Sequence, residues 1–273
     1  MNPASVGTRR PLEELVIPPE FRTTSRLSPG TEDAFFFERY LSQLELMREV
    51  LEVSGFRHRR HVVDVGAHIG GWSWVLSQWC EQVNALDVSE AALELGDRFA
   101  QLNSLDNIVF RRMTPAAAAA LPPADGMLCL VTFQVMRAGE LETFFASARR
   151  ILVPGGRLLC NSVTPWMVLE WLLTGSRIRL DGWRFQLVWA RDCLRGLLTR
   201  RIDPTRAYYC LRPAAVIDLA SRYSFRLVRA PRWYRGIRAT RALEISNAGD
   251  MSHRFRHYDW YLFEWTREGG GGP

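Results

Sequence analysis

Residues 62–74 read VVDVGAHIGGWSW. An apolar run ends around Asp64, passes through Gly66, Gly70 and Gly71, and leads into a segment carrying Trp72 and Trp74. A glycine-rich turn between a strand and a helix leaves backbone N–H groups unobstructed, and the positive helix end favours an anionic group. Two spacings fit the stretch. Read as G-x-G-x-x-G, the frame of dinucleotide sites, it supplies Gly66, His68 and Gly71 and lacks the central glycine. Read as acid-x-G-x-G-x-G, it supplies Asp64, Gly66, His68 and Gly70; the middle glycine is again missing, but Asp64 is used. Asp87 ends a second apolar run, 21 residues after Gly66. A carboxylate there can accept hydrogen bonds from two ribose hydroxyls, each such bond contributing roughly 1.5–3 kcal/mol. Histidine is among the non-glycine residues that tolerate positive φ. His68 therefore either replaces glycine in the turn or brings its ring to a ligand.

The elements that would position these residues alternate. Residues 32–54 read as a helix, with Phe36, Tyr40, Leu44, Met47 and Leu51 at intervals of three and four and Gly55 as its stop. A strand follows at 61–65, then a helix from about Gly71 to Cys80. VNALDV at 83–88 is a second strand, and Ser89 is the candidate cap of the next helix. NIVFRRM at 107–113 is a third strand. An alanine run and Pro122–Pro123 lead to a fourth at about 127–135. ELETFFASARRIL is helical, and VPGGRLLCNSV gives a turn and a fifth strand. Such alternation predicts a parallel sheet covered on both faces. After Thr164 the rhythm changes. Residues 165–201 are apolar, basic and rich in tryptophan. A helix (PAAVIDLASRYS), a short strand (FRLVRA) and a last strand at 257–266 (HYDWYLFEWT) complete the chain.

Composition sets outer limits. The 273 residues are 47% hydrophobic and 23% charged, ordinary for a globular protein that buries a full core. No apolar run reaches the ~18 residues that a membrane span needs. Residues 1–31 carry five prolines and no apolar signal core, so they read as a flexible N-terminal arm. The tail 268–273, EGGGGP, reads as disordered. Cys80, Cys129, Cys160, Cys193 and Cys210 are scattered, with no CxxC; neither a disulfide framework nor a metal site is expected, and a cytoplasmic location fits. All 35 basic residues are arginine. Residues 191–241 hold thirteen of them against three aspartates, a net of +10 in a chain of +6. That segment is either a solvated face or a surface for a negatively charged partner.

Taken together, VVDVGAHIGGWS, ALDVSEAAL and RRILVPGGRLL, in this order and spacing, resemble the class I S-adenosylmethionine-dependent methyltransferases. The resemblance covers about residues 35–163, and HYDWYLFEWT resembles the antiparallel strand that closes that family's sheet. It implies a Rossmann-like α/β fold over residues 32–267. The sheet would have seven strands, mostly parallel with an antiparallel last strand, with helices on both faces and a helical lid insertion at 165–206. It also implies S-adenosyl-L-methionine as cofactor. Asp64 and the turn Gly66, Ala67, His68, Ile69 and Gly70 would hold the methionine end. Asp87 would bind the ribose, with Val88 against the adenine. Met113 and Thr114 would meet the adenine edge. Phe133, Gln134 and Val135 would face the sulfonium and substrate. Two positions depart from the family's pattern: His68 replaces a glycine, and RRMTPAAAAA lacks the acid or polar pair often found after the third strand.

The expected reaction is in-line transfer of a methyl group to an O, N or C nucleophile of a small molecule, apolar or anionic. The tryptophan-rich insertion would cover it, and Asn161, Ser162, Thr164 and Trp166 are contact candidates. No catalytic base is assigned: His58 and His61 precede the first strand, and His253 and His257 lie near the last. Two alternatives stay open. One is an RNA methyltransferase using residues 191–241, although TFQVM stands where nucleic-acid enzymes carry N/D-P-P-Y/F. The other is a non-catalytic cofactor-binding relative.

Overall fold

The computed structural model describes residues 10–28, 30–163, 191, 210–230 and 258–267, without the Gln134 side chain. Seven strands form one sheet: β1 (His61–Val65), β2 (Gln82–Asp87), β3 (Ile108–Arg112), β4 (Ala124–Cys129), β5 (Leu152–Val163), β6 (Phe225–Arg229) and β7 (Tyr258–Trp265). Their order is β3-β2-β1-β4-β5-β7-β6. β1 runs parallel to β2, and β2 to β3, whereas β7 is antiparallel to β5 and β6. This is the mostly parallel sheet with a reversed last strand that the alternating pattern and the closing motif predict. The helices are α1 (Asp33–Leu41), α2 (Leu44–Val53), α3 (Gly71–Ser77), α4 (Glu90–Leu102), α5 (Pro115–Ala119), α6 (Ala138–Ile151) and α7 (Pro213–Arg222). The chain forms two compact units, one holding the described residues up to Leu128 and the other those from Cys129 onward.

In the first unit β1 and β2 are almost wholly buried, which is why VVDV and VNAL read as near-continuous apolar runs. All seven residues of α3 are buried, and Trp74 forms a three-ring cluster with Phe37 of α1, on which it stacks, and Phe99 of α4, against which it is tilted. The segment expected to be one helix over 32–54 is two, because Gln43 leaves the helical region (φ −127, ψ 5) while the Ser42 hydroxyl donates to the Arg39 carbonyl at 2.9 Å. The alanine run, read as a connection, forms the one-turn α5 behind a Thr114 cap and Pro115.

Residues 10–28, within the stretch read as a flexible arm, are anchored to this unit. Phe21 is 1% exposed and meets the rings of Phe37 and Phe99 edge-on. Asn103, beyond the end of α4, accepts from Arg10 Nη1 (3.0 Å) and the Val16 amide (2.9 Å), and donates to the carbonyls of Val16 and Phe99.

In the second unit β5 and β7 pair from Arg157 opposite Glu264 to Val163 opposite Tyr258. Phe145 of α6 packs against Phe133, Phe225 and Phe263. The Ser162 and Tyr261 hydroxyls lie 2.9 Å apart in the interior. The fourth strand stops at Cys129, short of the expected 135, because Val131 takes φ 59 and a 3-10 turn follows at Phe133–Val135.

Candidate cofactor site at the β1–α3 turn

β1 delivers Asp64 into the interior, and the chain then reverses through three left-handed residues: Gly66 (φ 77), His68 (φ 54) and Gly70 (φ 89). Only glycine adopts this region at no cost; histidine is one of the few others that enters it readily. The turn is tied to β2. The amides of Gly66 and Ala67 both donate to the Leu86 carbonyl, at 2.8 and 2.9 Å, and Gly70 donates to the Ala67 carbonyl at 2.8 Å. The His68 amide donates to Asp87 Oδ2 at 2.8 Å, while the Ser89 amide donates to Asp87 Oδ1 at 2.9 Å. One carboxylate therefore spans the glycine turn and the N-terminal cap of α4. The expectation that the turn's amides are open donors is corrected here: four of the five point inward to protein acceptors.

Close packing holds this geometry. A Cβ at Gly96 would meet the Phe110 ring at 2.6 Å and the Ile69 carbonyl oxygen at 2.7 Å, so α4 lies directly against the turn. A Cβ at Gly71 would overlap the Tyr40 ring, so α1 lies over the start of α3. The His68 ring has the rings of Phe36 and Tyr40 at centroid distances of 5.8 and 6.4 Å.

The electrostatics follow from burial. Asp64 is 2% exposed; desolvation pushes its carboxyl up to about 7, the Ser73 hydroxyl bond at 2.7 Å opposes that rise, and the charge of Asp87 adds to it. Burial lowers the proton affinity of His68, the Asp87 charge opposes this, and the Arg39 charge reinforces it. The imidazole is therefore neutral at neutral pH.

Around the turn, Val88 is 65% exposed directly after Asp87. The Met113 amide donates to the Asp87 carbonyl at 2.7 Å, bringing the end of β3 beside the end of β2. The Thr114 hydroxyl accepts from the Ala117 amide at 3.0 Å and is used as a helix cap. Asp64, the turn 66–70, Asp87, Val88, Met113 and Thr114 thus share the carboxyl ends of β1, β2 and β3. Phe133, Gln134 and Val135 belong to the second unit, where Phe133 is 1% exposed and Val135 is 74% exposed. There the Val131 amide donates to Asn161 Oδ1 at 2.7 Å. The lid reading of 165–206, the tail, His253, His257, Thr164, Trp166 and most of the arginine-rich segment lie outside the described residues.

Sequence reasoning did not assign Phe36, Arg39, Tyr40 or Ser73 to this site. Phe36 and Tyr40 carry the helical period and read as core; nothing in α1 marks which element it covers. Ser73 lies nine residues after Asp64, a separation that becomes meaningful only once the turn has folded back.

The family described as "Methyltransferase domain" matches residues 62–156, the stretch from β1 into β5. A curated relative, the ubiquinone/menaquinone biosynthesis C-methyltransferase UbiE of Zymomonas mobilis subsp. mobilis, is 26% identical over 149 residues, covering 48% of this chain and 60% of that protein. The chain thus spans only part of that relative's length, 60% of it. Among solved structures, the magnesium protoporphyrin IX methyltransferase of Synechocystis PCC 6803 with bound SAH superposes with a TM-score of 0.54 at 16% identity, over 86% of this chain and 87% of that one. An O-methyltransferase family protein from Burkholderia thailandensis gives 0.51 at 12% identity, over 86% and 60%. These two likenesses establish the fold. In the domain match from β1 into β5 and in its sheet order, the chain is similar to the class I S-adenosylmethionine-dependent methyltransferases. Among the described residues no helix is long and apolar enough to cross a membrane.

Proposed function

We propose that this protein is an S-adenosylmethionine-dependent methyltransferase acting on a small-molecule substrate. The observation that carries the reading is the double engagement of Asp87. Each of its oxygens accepts one backbone N–H and keeps a lone pair for a further donor, so it can take two ribose hydroxyls while still holding the turn. The residues present fit the cofactor. Val88 offers an exposed apolar face next to Asp87 for the adenine, and Met113 flanks the same edge. Thr114 already caps α5, so adenine recognition rests on apolar contact and backbone groups. Gly66, Ala67, His68, Ile69 and Gly70 form the floor for the methionine end, with Asp64 beneath them.

When bound, the cofactor supplies a methyl group activated by its sulfonium. The chain's task is alignment, which can contribute on the order of 7–11 kcal/mol by positioning alone. Asp87 orients the ribose, and the turn fixes the methionine end. Phe133, Gln134 and Val135 are the residues we assign to the sulfonium and acceptor. Transfer is in-line to an O, N or C nucleophile. The relative named as a C-methyltransferase of quinone biosynthesis and the neighbour named for a porphyrin support a small, largely apolar acceptor.

The test supplies S-adenosylmethionine with a tritiated methyl group together with hydroxylated naphthalenes, phenols, small amines or total RNA. Label in the organic extract supports the reading. Label confined to precipitated RNA would replace it with the RNA alternative. No transfer to any acceptor despite cofactor binding would favour a non-catalytic relative.

A further inference from the structure

The buried stretch of β5 is apolar at Leu158, Leu159, Cys160 and Val163, each 0% exposed, and polar at Asn161 and Ser162. Ser162 has a partner in the Tyr261 hydroxyl. Asn161, 1% exposed, is only half satisfied. Its Oδ1 accepts from the Val131 amide at 2.7 Å, while its Nδ2 is fully enclosed and has no acceptor among the described residues. A backbone N–H can only donate, so the carboxamide must turn its oxygen to Val131 and its nitrogen away. A buried donor left without a partner destabilises a fold, whereas an apolar side chain of similar shape would not. What the polar residue contributes here is therefore the bond to Val131.

That bond falls on a strained residue. Among the described residues, four that are not glycine take positive φ, and Val131, at φ 59, is the one with a β-branched side chain. A β-branched residue is an outlier in this region, and such strain persists only where the surroundings hold it. Val131 turns the chain out of β4 and into the 3-10 turn Phe133–Val135. Phe133 anchors that turn to α6, with the rings of Phe144 and Phe145 at 5.4 and 5.9 Å. The Val131 amide ties the approach to it onto β5, the strand beside β4. Val135, at the end of the turn, is left 74% exposed. We propose that Asn161 is a positioning residue for methyl transfer: it holds Val131 in its left-handed conformation and so sets where the Phe133–Val135 turn stands. The role acts through Val131 and needs no contact with substrate. The inference rests on the functional reading above, which assigns this turn to the sulfonium and acceptor.

The experiment has two readouts on the full chain. The first is hydrogen exchange followed by mass spectrometry. Asn161→Leu removes the acceptor, so the peptide spanning residues 130–136 should exchange about tenfold faster or more, while peptides from β1 and β2 keep their protection. The second is methyl transfer to hydroxylated naphthalenes, phenols and small amines, counted per mole of S-adenosylhomocysteine bound so that unfolded protein is excluded. In Asn161→Leu, kcat should fall about ten- to hundredfold while KM for S-adenosylmethionine changes less than about threefold. Asn161→Asp, which keeps the acceptor oxygen, should recover part of the lost kcat. Glycine takes positive φ without strain, so in a Val131→Gly background Asn161→Leu should lower kcat by less than about threefold. That double variant carries the test if Asn161→Leu alone does not fold. Unchanged exchange over 130–136, or unchanged kcat, in Asn161→Leu overturns the proposal. A loss of about tenfold or more on adding Asn161→Leu to Val131→Gly also overturns it, because Asn161 would then act other than through Val131. No transfer by the unaltered protein overturns the functional reading and the positioning role with it, whereas the exchange result alone fails this inference; the two failures come from different measurements.

Discussion

At the scale of single residues, Asp64 makes the most direct statement. Its carboxyl is raised to about 7 from an ordinary value of 3.8, chiefly by desolvation. The folded chain therefore keeps a proton that the unfolded chain releases between roughly pH 4 and pH 7, and stability falls as pH rises through that window. We expect the melting temperature of the intact protein to drop between pH 5 and pH 8. Asp64→Asn, which removes the ionisation, should show a flatter profile and be the more stable form at pH 8. Equal slopes in the two proteins would contradict the assignment. His68 offers a conformational test. At φ 54, His68→Gly should fold normally, whereas the β-branched His68→Val should cost about 1–3 kcal/mol in denaturant unfolding. Equal stability of the two variants would mean that the turn relaxes away from positive φ.

At the scale of elements, the strands were the most legible part of the sequence. VVDV, VNALD and MLC are nearly continuous apolar runs because β1, β2 and β4 are buried on both faces. Boundaries were harder. The fourth strand ends at a positive φ on Val131, a residue type that gives no sign of it in sequence. The long N-terminal helix keeps its apolar period across a break at Ser42–Gln43, so periodicity alone reads straight through it. The site's strand-borne acids, Asp64 and Asp87, were readable from spacing, whereas the cover from α1 was not, since a helix's apolar face does not name the surface it meets. The contact between α4 and the turn gives the element-scale prediction. Gly96→Ala gains up to ~1 kcal/mol in helix propensity, but its Cβ would overlap the Phe110 ring and the Ile69 carbonyl. Overpacking of this kind costs typically 1–3 kcal/mol. The variant should therefore lose stability and bind S-adenosylhomocysteine more weakly; a gain in stability would show that α4 can move away freely.

At the scale of the whole molecule, the cysteines report on integrity. Cys80 in the first unit and Cys129, Cys160 and Cys210 in the second are all 0% exposed. Under native conditions at most one thiol, that of Cys193, should react with a thiol reagent, and all five should react in guanidinium. Two native thiols reacting at once would show that one unit opens without global unfolding. The anchoring of residues 10–28 belongs to this scale too. Their prolines and polar residues resemble a mobile arm in composition, yet Phe21 and Asn103 tie them to α1 and α4 through contacts between residues far apart in the chain.

The central claim is that Asp87 holds the ribose of an S-adenosylmethionine-type cofactor. The most direct measurement is calorimetric titration of the intact protein and of Asp87→Ala with S-adenosylhomocysteine. We predict micromolar binding to the intact protein and a loss of at least tenfold in a variant that remains folded by circular dichroism. No binding to the intact protein, or undiminished affinity in the variant, would contradict the account.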